Sequence, residues 1–315
     1  MKSLNPQLIV LLEAGREAGM KPISILSPDD ARLQMEATVN GRELPPVEGV
    51  ISEDRTIPGP AGEIQVRFYH PENAAEALLG ALVYYHGGGH VIGSINTHDR
   101  TARALCRDSG ILVMSVDYRM GPEDKFPAAV DDAHAAFNWL VDNAATEGVD
   151  AARIAVGGDS AGGNLALVVS LLARQAGGQV PAFQLLVYPV MDYAGGTPSY
   201  DLFGEGFGPL DSAAIDWFRK HYFNSDRDLG DWRATPRLAE SFAGLPSTLI
   251  IAAECDVLNY EGRVLADRLQ ADGVSVDHID YEGMMHGFFS MAPLVDDAVE
   301  AQALAAAKLK TALTG

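Results

Sequence analysis

The chain has 315 residues, 47% of them hydrophobic, enough to bury a substantial core as one folding unit that carries an insertion. Its 43 acidic residues against 23 basic ones give a formal charge of −20 at pH 7; this argues against nucleic-acid binding, since affinity for phosphate comes from clustered Lys and Arg. The only two cysteines, Cys106 and Cys255, are far apart and in no metal-ligand spacing, so they are expected to be reduced core residues, with no metal site and a cytoplasmic setting.

From Asn5 to Gly19 the apolar spacing is helical. Glu13, Arg16 and Glu17 interrupt the run too early for a signal peptide or a membrane span, and no other run is long enough to cross a bilayer. The stretch that follows, up to Pro46, is mixed and proline-bearing, and is expected to belong to a lid. Strand-like runs then occur at Glu63 to Tyr69, Ala81 to Tyr85, Ile111 to Asp117, Ile154 to Gly157, Phe183 to Tyr188, Thr248 to Ala253 and Val274 to Tyr281, with helical segments between the later ones. Continuous apolar strands alternating with helices predict an α/β fold: a mostly parallel central sheet with helices on both faces. Between Val190 and Arg233 the pattern breaks into Gly- and Pro-rich turns around a short aromatic helix, Ile215 to Phe223, which reads as a helical cap inserted over the strand ends. The division that results is 1–50 as the N-terminal part of the cap, 51–189 as core, 190–233 as the cap insertion and 234–315 as the rest of the core. The alanine-rich end from Asp296 to Leu313 is expected to be a terminal helix packed on the sheet.

Two glycine-framed motifs carry the chemistry. Gly158-Asp159-Ser160-Ala161-Gly162 lies between a strand and the buried helix Asn164 to Arg174, the setting in which a sharp turn exposes a serine hydroxyl at the carboxyl end of a sheet. His86-Gly87-Gly88-Gly89 follows another strand, and its glycines let backbone N–H groups approach an oxygen that becomes negative during acyl transfer. Gly88, Gly89 and Ala161 are the expected oxyanion donors. A serine hydroxyl needs an imidazole to take its proton and a carboxylate to orient that imidazole. Asp256, after the strand Leu249 to Ala253, and His286, after the last strand, provide them in the order Ser, Asp, His. Glu254 and Asp280 are weaker candidates for the acid. None of His70, His86, His90, His98, His134, His221 and His278 follows a late strand beside a glycine.

With these residues in view, the chain resembles the hormone-sensitive-lipase-like (bacterial family IV) carboxylesterases of the α/β-hydrolase fold over nearly all of its length. The landmarks are Tyr85-His86-Gly87-Gly88-Gly89, Asp117-Tyr118-Arg119, Pro122-Glu123, Phe126-Pro127-Ala128, Gly158 to Asn164, Glu254-Cys255-Asp256, Tyr281 to Met284 and His286-Gly287-Phe288. The resemblance implies a Ser160–Asp256–His286 triad, an oxyanion hole of Gly88, Gly89 and Ala161, and cleavage of short acyl esters without a cofactor. The chain departs from the family pattern at His90, where an aromatic residue is usual, at Asp124-Lys125, at Val257 and at Met120-Gly121; these departures are expected to alter substrate range or pH response.

Phe203, Phe207, Leu210 and Trp217 are candidates for lining an acyl pocket, although aromatic residues in an insertion more often pack it to the body. Asp159 is read either as a tether of the nucleophile loop or as a helix cap, and Glu123, Tyr118 and Arg119 as structural. The expected partner is a small-molecule ester, with no membrane insertion and a homo-oligomer left open. An amidase or formamidase with the same triad, or a non-catalytic small-molecule receptor on this fold, are the competing readings.

Overall fold

A computed structural model describes residues 3–74, 78–205 and 207–314. In chain order its strands are β1 (Val50–Gly59), β2 (Gly62–Pro71), β3 (Leu79–Tyr85), β4 (Leu112–Asp117), β5 (Val149–Asp159), β6 (Gln184–Val187), β7 (Thr248–Cys255) and β8 (Val276–Met285). Among the described residues these form one sheet in the order β1-β2-β4-β3-β5-β6-β7-β8. β3 to β8 run parallel to one another, while β2 is antiparallel to both of its neighbours, β1 and β4.

Side chains on a strand alternate between its faces, so a strand covered on both sides must be apolar at every position. β3 shows this directly. Ala81, Val83 and Tyr85 enter one buried cluster, and Leu82 and Tyr84 enter the other. The first cluster is closed by helices α4 (Ala128–Asn143), α5 (Ala161–Gln175) and α8 (Asn259–Ala271), the second by α3 (Ile95–Ser109) and α9 (Asp296–Leu313). Cys106 and Cys255 are both free and buried in these clusters, as expected. No helix among the described residues is long and apolar enough to cross a membrane.

The structure adds a strand and a helix that the periodicity did not predict. β1 pairs with β2 along its whole length through the tight Gly59–Gly62 turn, yet its exposure is irregular, with only Val50 and Ile57 buried. A hairpin strand at the sheet's edge needs no apolar run, so its pattern is silent. Helix α2 (Pro28–Asn40) occupies the mixed, proline-bearing stretch expected to belong to a lid; Ser27 caps it through a bond from the Asp30 N–H, and only Ala31 on it is buried. β5 also starts five residues before the predicted run, and β8 extends four residues past it.

Helices α6 (Pro198–Phe203) and α7 (Ser212–Tyr222) fall in the segment between β6 and β7. The Trp217 indole N–H of α7 donates to the Leu26 carbonyl at 3.0 Å, which joins this segment to the N-terminal one. The first helix, α1 (Pro6–Glu17), instead buries Leu8 in the cluster on the α3/α9 face. α2 is fastened by Arg32, whose guanidinium donates to the carbonyls of Val91 (2.9 Å) and Gly121 (2.8 Å) and to both carboxylate oxygens of Glu123 (2.9 and 2.7 Å). The Arg32→Ala variant should lose about 1–2 kcal/mol of local stability, because charge-assisted bonds that are partly open to solvent are worth about that much. Limited proteolysis should then cut between residues 28 and 45 several-fold faster, with little change in the urea midpoint of the core.

Candidate active site

In an open α/β sheet, ligands collect at the carboxyl ends of the strands where the strand order reverses. Here the chain moves outward from β3 to β4 on one side and to β5 on the other, so the loops after β3 and β5 meet at that point. These loops carry the two glycine motifs. Tyr85 at the end of β3 is in register with Gly158 at the end of β5, and a Cβ on Gly158 or on Gly162 would overlap the Tyr85 carbonyl oxygen. Only glycine permits this approach. Ser160 pays for the sharp turn with φ 56° and ψ −116°, a conformation that a side-chain-bearing residue rarely adopts. Its backbone is held by a bond from its N–H to Val187 O (2.8 Å) and one from the Val190 N–H to its carbonyl (3.2 Å).

The three widely separated side chains converge. His286 Nε2 lies 2.9 Å from Ser160 Oγ, and His286 Nδ1 lies 2.7 Å from Asp256 Oδ2. Asp256 is buried, and its other oxygen accepts the Leu258 N–H at 2.9 Å. The Tyr188 ring packs against the imidazole, with centroids 4.5 Å apart. The other two candidate acids are engaged elsewhere: Glu254 accepts the Gly283 N–H, and Asp280 accepts from the Asn259 side chain. Among the described residues, no group of three or more His, Cys, Asp or Glu side chains could hold a metal ion.

Gly88 (φ 118°) and Gly89 (φ 60°) adopt backbone angles that favour glycine. The N–H groups of Gly88, Gly89 and Ala161 have no protein acceptor among the described residues. Asp159 joins this loop to the nucleophile turn, accepting from the Tyr84 hydroxyl at 2.6 Å and from the Gly87 N–H at 3.1 Å, with His98 Nε2 at 3.4 Å. It therefore acts as a tether rather than as a cap. Burial alone would raise its pKa, but the neighbouring His98 charge, with hydrogen bonds from His98 and Tyr84, outweighs burial and holds it down to about 2. His98 in turn is raised, since Asp159 overcomes its burial. Sequence reasoning passed over His98, because nothing near it in the chain signals the carboxylate it meets.

The remaining candidates lie in different surroundings. Phe203 is buried edge-on to Phe207, with centroids 5.1 Å apart, while Phe207 and Leu210 are partly buried against the main cluster. Gly208, between them, lies close to Met285, one residue before His286. Trp217 is buried with its indole turned to Leu26, and the ring beside the glycine loop is that of Phe218, which a Cβ on Gly89 would overlap. Glu123 pairs with Arg32, Tyr118 donates to His86 O at 2.7 Å, and Arg119 makes a bidentate pair with Asp132. Lys125 caps the end of α7 by donating to Lys220 O and Phe223 O.

The family model for the alpha/beta hydrolase fold matches residues 82–290. The chain belongs to the hormone-sensitive-lipase-like α/β-hydrolases. A carboxylic ester hydrolase of Mycobacterium tuberculosis, LipN, is 42% identical over 301 residues, covering 93% of this chain and 78% of the relative. The ethyl acetate hydrolase of Pseudomonas putida is 38% identical over 307 residues, covering 95% of this chain and 96% of its own. Among solved structures, an ester-hydrolase from the metagenome of Lake Arreo, complexed with a derivative of bipyridine phosphonate, superposes with TM-score 0.93 at 42% identity, covering 98% of both chains. A thermostable esterase from Pseudomonas putida superposes with TM-score 0.94 at 35% identity, covering 99% of this chain and 98% of that one.

His90, the family member's departure next to the glycines, is completely buried. Burial, with repulsion from His86, pushes its pKa down to about 3; burial and the charge of His98 push His86 down to about 4. Both stay neutral in the folded protein at working pH, so His90 is no source of an altered pH response there. The unfolded chain, by contrast, protonates both near pH 6.5, so it binds more protons than the native state below that pH and stability falls with acidity. Each such histidine steepens the fall by about 1.4 kcal/mol per pH unit between its two pKa values. The His90→Phe variant should therefore lose stability between pH 6 and 4 with a slope shallower by roughly 1 kcal/mol per pH unit, measured by urea unfolding.

Proposed function

We propose that this chain, an ester hydrolase by family and relatives, works as a serine carboxylesterase on short-to-medium acyl esters through an acyl-enzyme intermediate. The observation that carries the reading is the continuous relay Asp256–His286–Ser160, with links of 2.7 and 2.9 Å. In this mechanism His286 Nε2 takes the Ser160 proton as Oγ attacks the ester carbonyl. Asp256 holds Nδ1–H, fixing the tautomer and stabilising the imidazolium that forms. The carbonyl oxygen becomes an oxyanion facing the N–H groups of Gly88, Gly89 and Ala161, each worth roughly 3 to 4 kcal/mol of the barrier. His286 then returns its proton to the leaving alcohol, and a water activated by the same imidazole releases the acid and frees the serine.

In the same reading the cap over the core of 51–189 and 234–315 is formed by 190–233 and by the part of 1–50 that follows α1, which the Trp217–Leu26 bond supports, while α1 itself packs on the α3/α9 face. Phe203, Phe207 and Leu210 bound the acyl side, with Phe218 rather than Trp217 beside the glycine loop, and a small soluble ester is the partner. His286 within bonding distance of Ser160 argues against a receptor that has lost its base.

Ser160→Ala should lower kcat for p-nitrophenyl acetate or butyrate by roughly 10⁴-fold or more, and Asp256→Asn by about 10⁴-fold, with the melting temperature kept. A graded series of p-nitrophenyl esters should show kcat/KM highest among the short and medium acyl chains. Full activity in Ser160→Ala would sink the assignment.

A further inference from the structure

The oxyanion donors sit on a loop whose two ends are held differently. The His86–Gly87 end is fixed by Asp159 and by Tyr118. At the other end stands His90, which follows Gly89 and has itself a left-handed backbone, φ 59°. A side-chain-bearing residue keeps such a conformation only where its surroundings over-determine it. The His90 ring stacks on Tyr222 of α7, with centroids 4.1 Å apart and planes 15° apart, and its Nδ1 lies 2.8 Å from the Tyr193 hydroxyl. Its carbonyl accepts the Gly121 N–H at 2.9 Å.

Tyr193 ends the segment that leaves β6, and that segment touches every other part of the site. Tyr188 packs on His286. The Val190 N–H bonds the Ser160 carbonyl, and the Val190 carbonyl accepts the Asn164 amide at 2.8 Å. The N–H groups of Met191 and Asp192 both donate to one oxygen of buried Glu261, at 2.9 and 3.0 Å, on the helix that follows Asp256. One six-residue stretch thus carries the base, the nucleophile's backbone and the acid's helix. The Tyr193–His90 bond is its only polar side-chain link to the oxyanion loop among the described residues.

We propose that the His90–Tyr193 hydrogen bond is the positioning latch of the oxyanion hole, locking the Gly88–Gly89 donors to the segment that also sets the nucleophile and the base. Histidine is used here because it provides both the aromatic plate that Tyr222 stacks on and a ring nitrogen for the hydroxyl, which a purely hydrocarbon ring would not. The latch acts through the loop and does not touch substrate, so its loss weakens the transition state more than the bound ester. It rests on reading Gly88 and Gly89 as oxyanion donors.

The test uses Tyr193→Phe, His90→Phe and the double variant on p-nitrophenyl butyrate, with circular dichroism and melting curves for each. Each single variant should lower kcat about 10-fold, with KM within twofold, and should weaken inhibition by a trifluoromethyl ketone, whose adduct loads the same donors, by the same factor as kcat. The double variant should be no worse than either single one, because both remove one shared bond. Single variants within twofold of the parent kcat, or losses that multiply in the double variant, overturn the latch. Two variants guard against misfolding of one, and a parent protein that turns over no ester would indict the serine-esterase reading instead.

Discussion

The site depends on how closely the ends of β3 and β5 approach each other. The Tyr85 carbonyl oxygen occupies the space that side chains on Gly158 and Gly162 would need, so the serine turn and the glycine loop can lie this close only because both positions are glycine. Parallel pairing of the two strands with Tyr85 against Gly158 sets the register, and the strand order reverses at that point, where Phe218 of α7 lies against Gly89. The left-handed backbone of Ser160 is a cost of this approach, offset by the buried helix α5 that begins at the next residue.

Beneath these loops the chain keeps a small polar network in a dry interior. Asp159 stays ionised because Tyr84, the Gly87 N–H and His98 all face it, while His86, stacked on Tyr118 at 4.5 Å, stays neutral. Buried polar groups that are satisfied on several sides hold a single geometry. The network therefore holds the strand ends in one geometry, with the buried Asp159 carboxylate bonded to the Gly87 N–H. The formal charge of −20 resides mainly on other, solvent-facing carboxylates and plays no part in this arrangement.

The sequence was readable where one residue's environment repeats along the chain or where a motif is contiguous. Apolar runs such as Leu82 to Tyr85 disclosed the central strands, and glycine spacing disclosed both loops, because each reports local backbone geometry. β1 and α2 escaped because an edge hairpin and a surface helix with one buried residue leave no periodic apolar signal. The order Ser160, Asp256, His286 singled out three candidates that the fold brings within bonding distance, although 126 positions separate the serine and the histidine. Contacts between distant segments left no mark at all. Arg32 on Val91, Tyr193 on His90, Glu261 on the Met191 N–H and Phe218 beside Gly89 each join residues whose neighbours in sequence say nothing of the partner. Trp217, singled out for its ring, turns to Leu26, and the adjacent Phe218 meets the loop instead.

In the proposed reaction Ser160 Oγ becomes a nucleophile beside waiting amide hydrogens. The most direct measurement is a crystal structure of the protein after reaction with a p-nitrophenyl alkylphosphonate. It should show phosphorus bonded to Ser160 Oγ and the phosphonyl oxygen within about 3 Å of the N–H groups of Gly88, Gly89 and Ala161. An adduct on any other residue, or a phosphonyl oxygen turned away from all three amides, would contradict it.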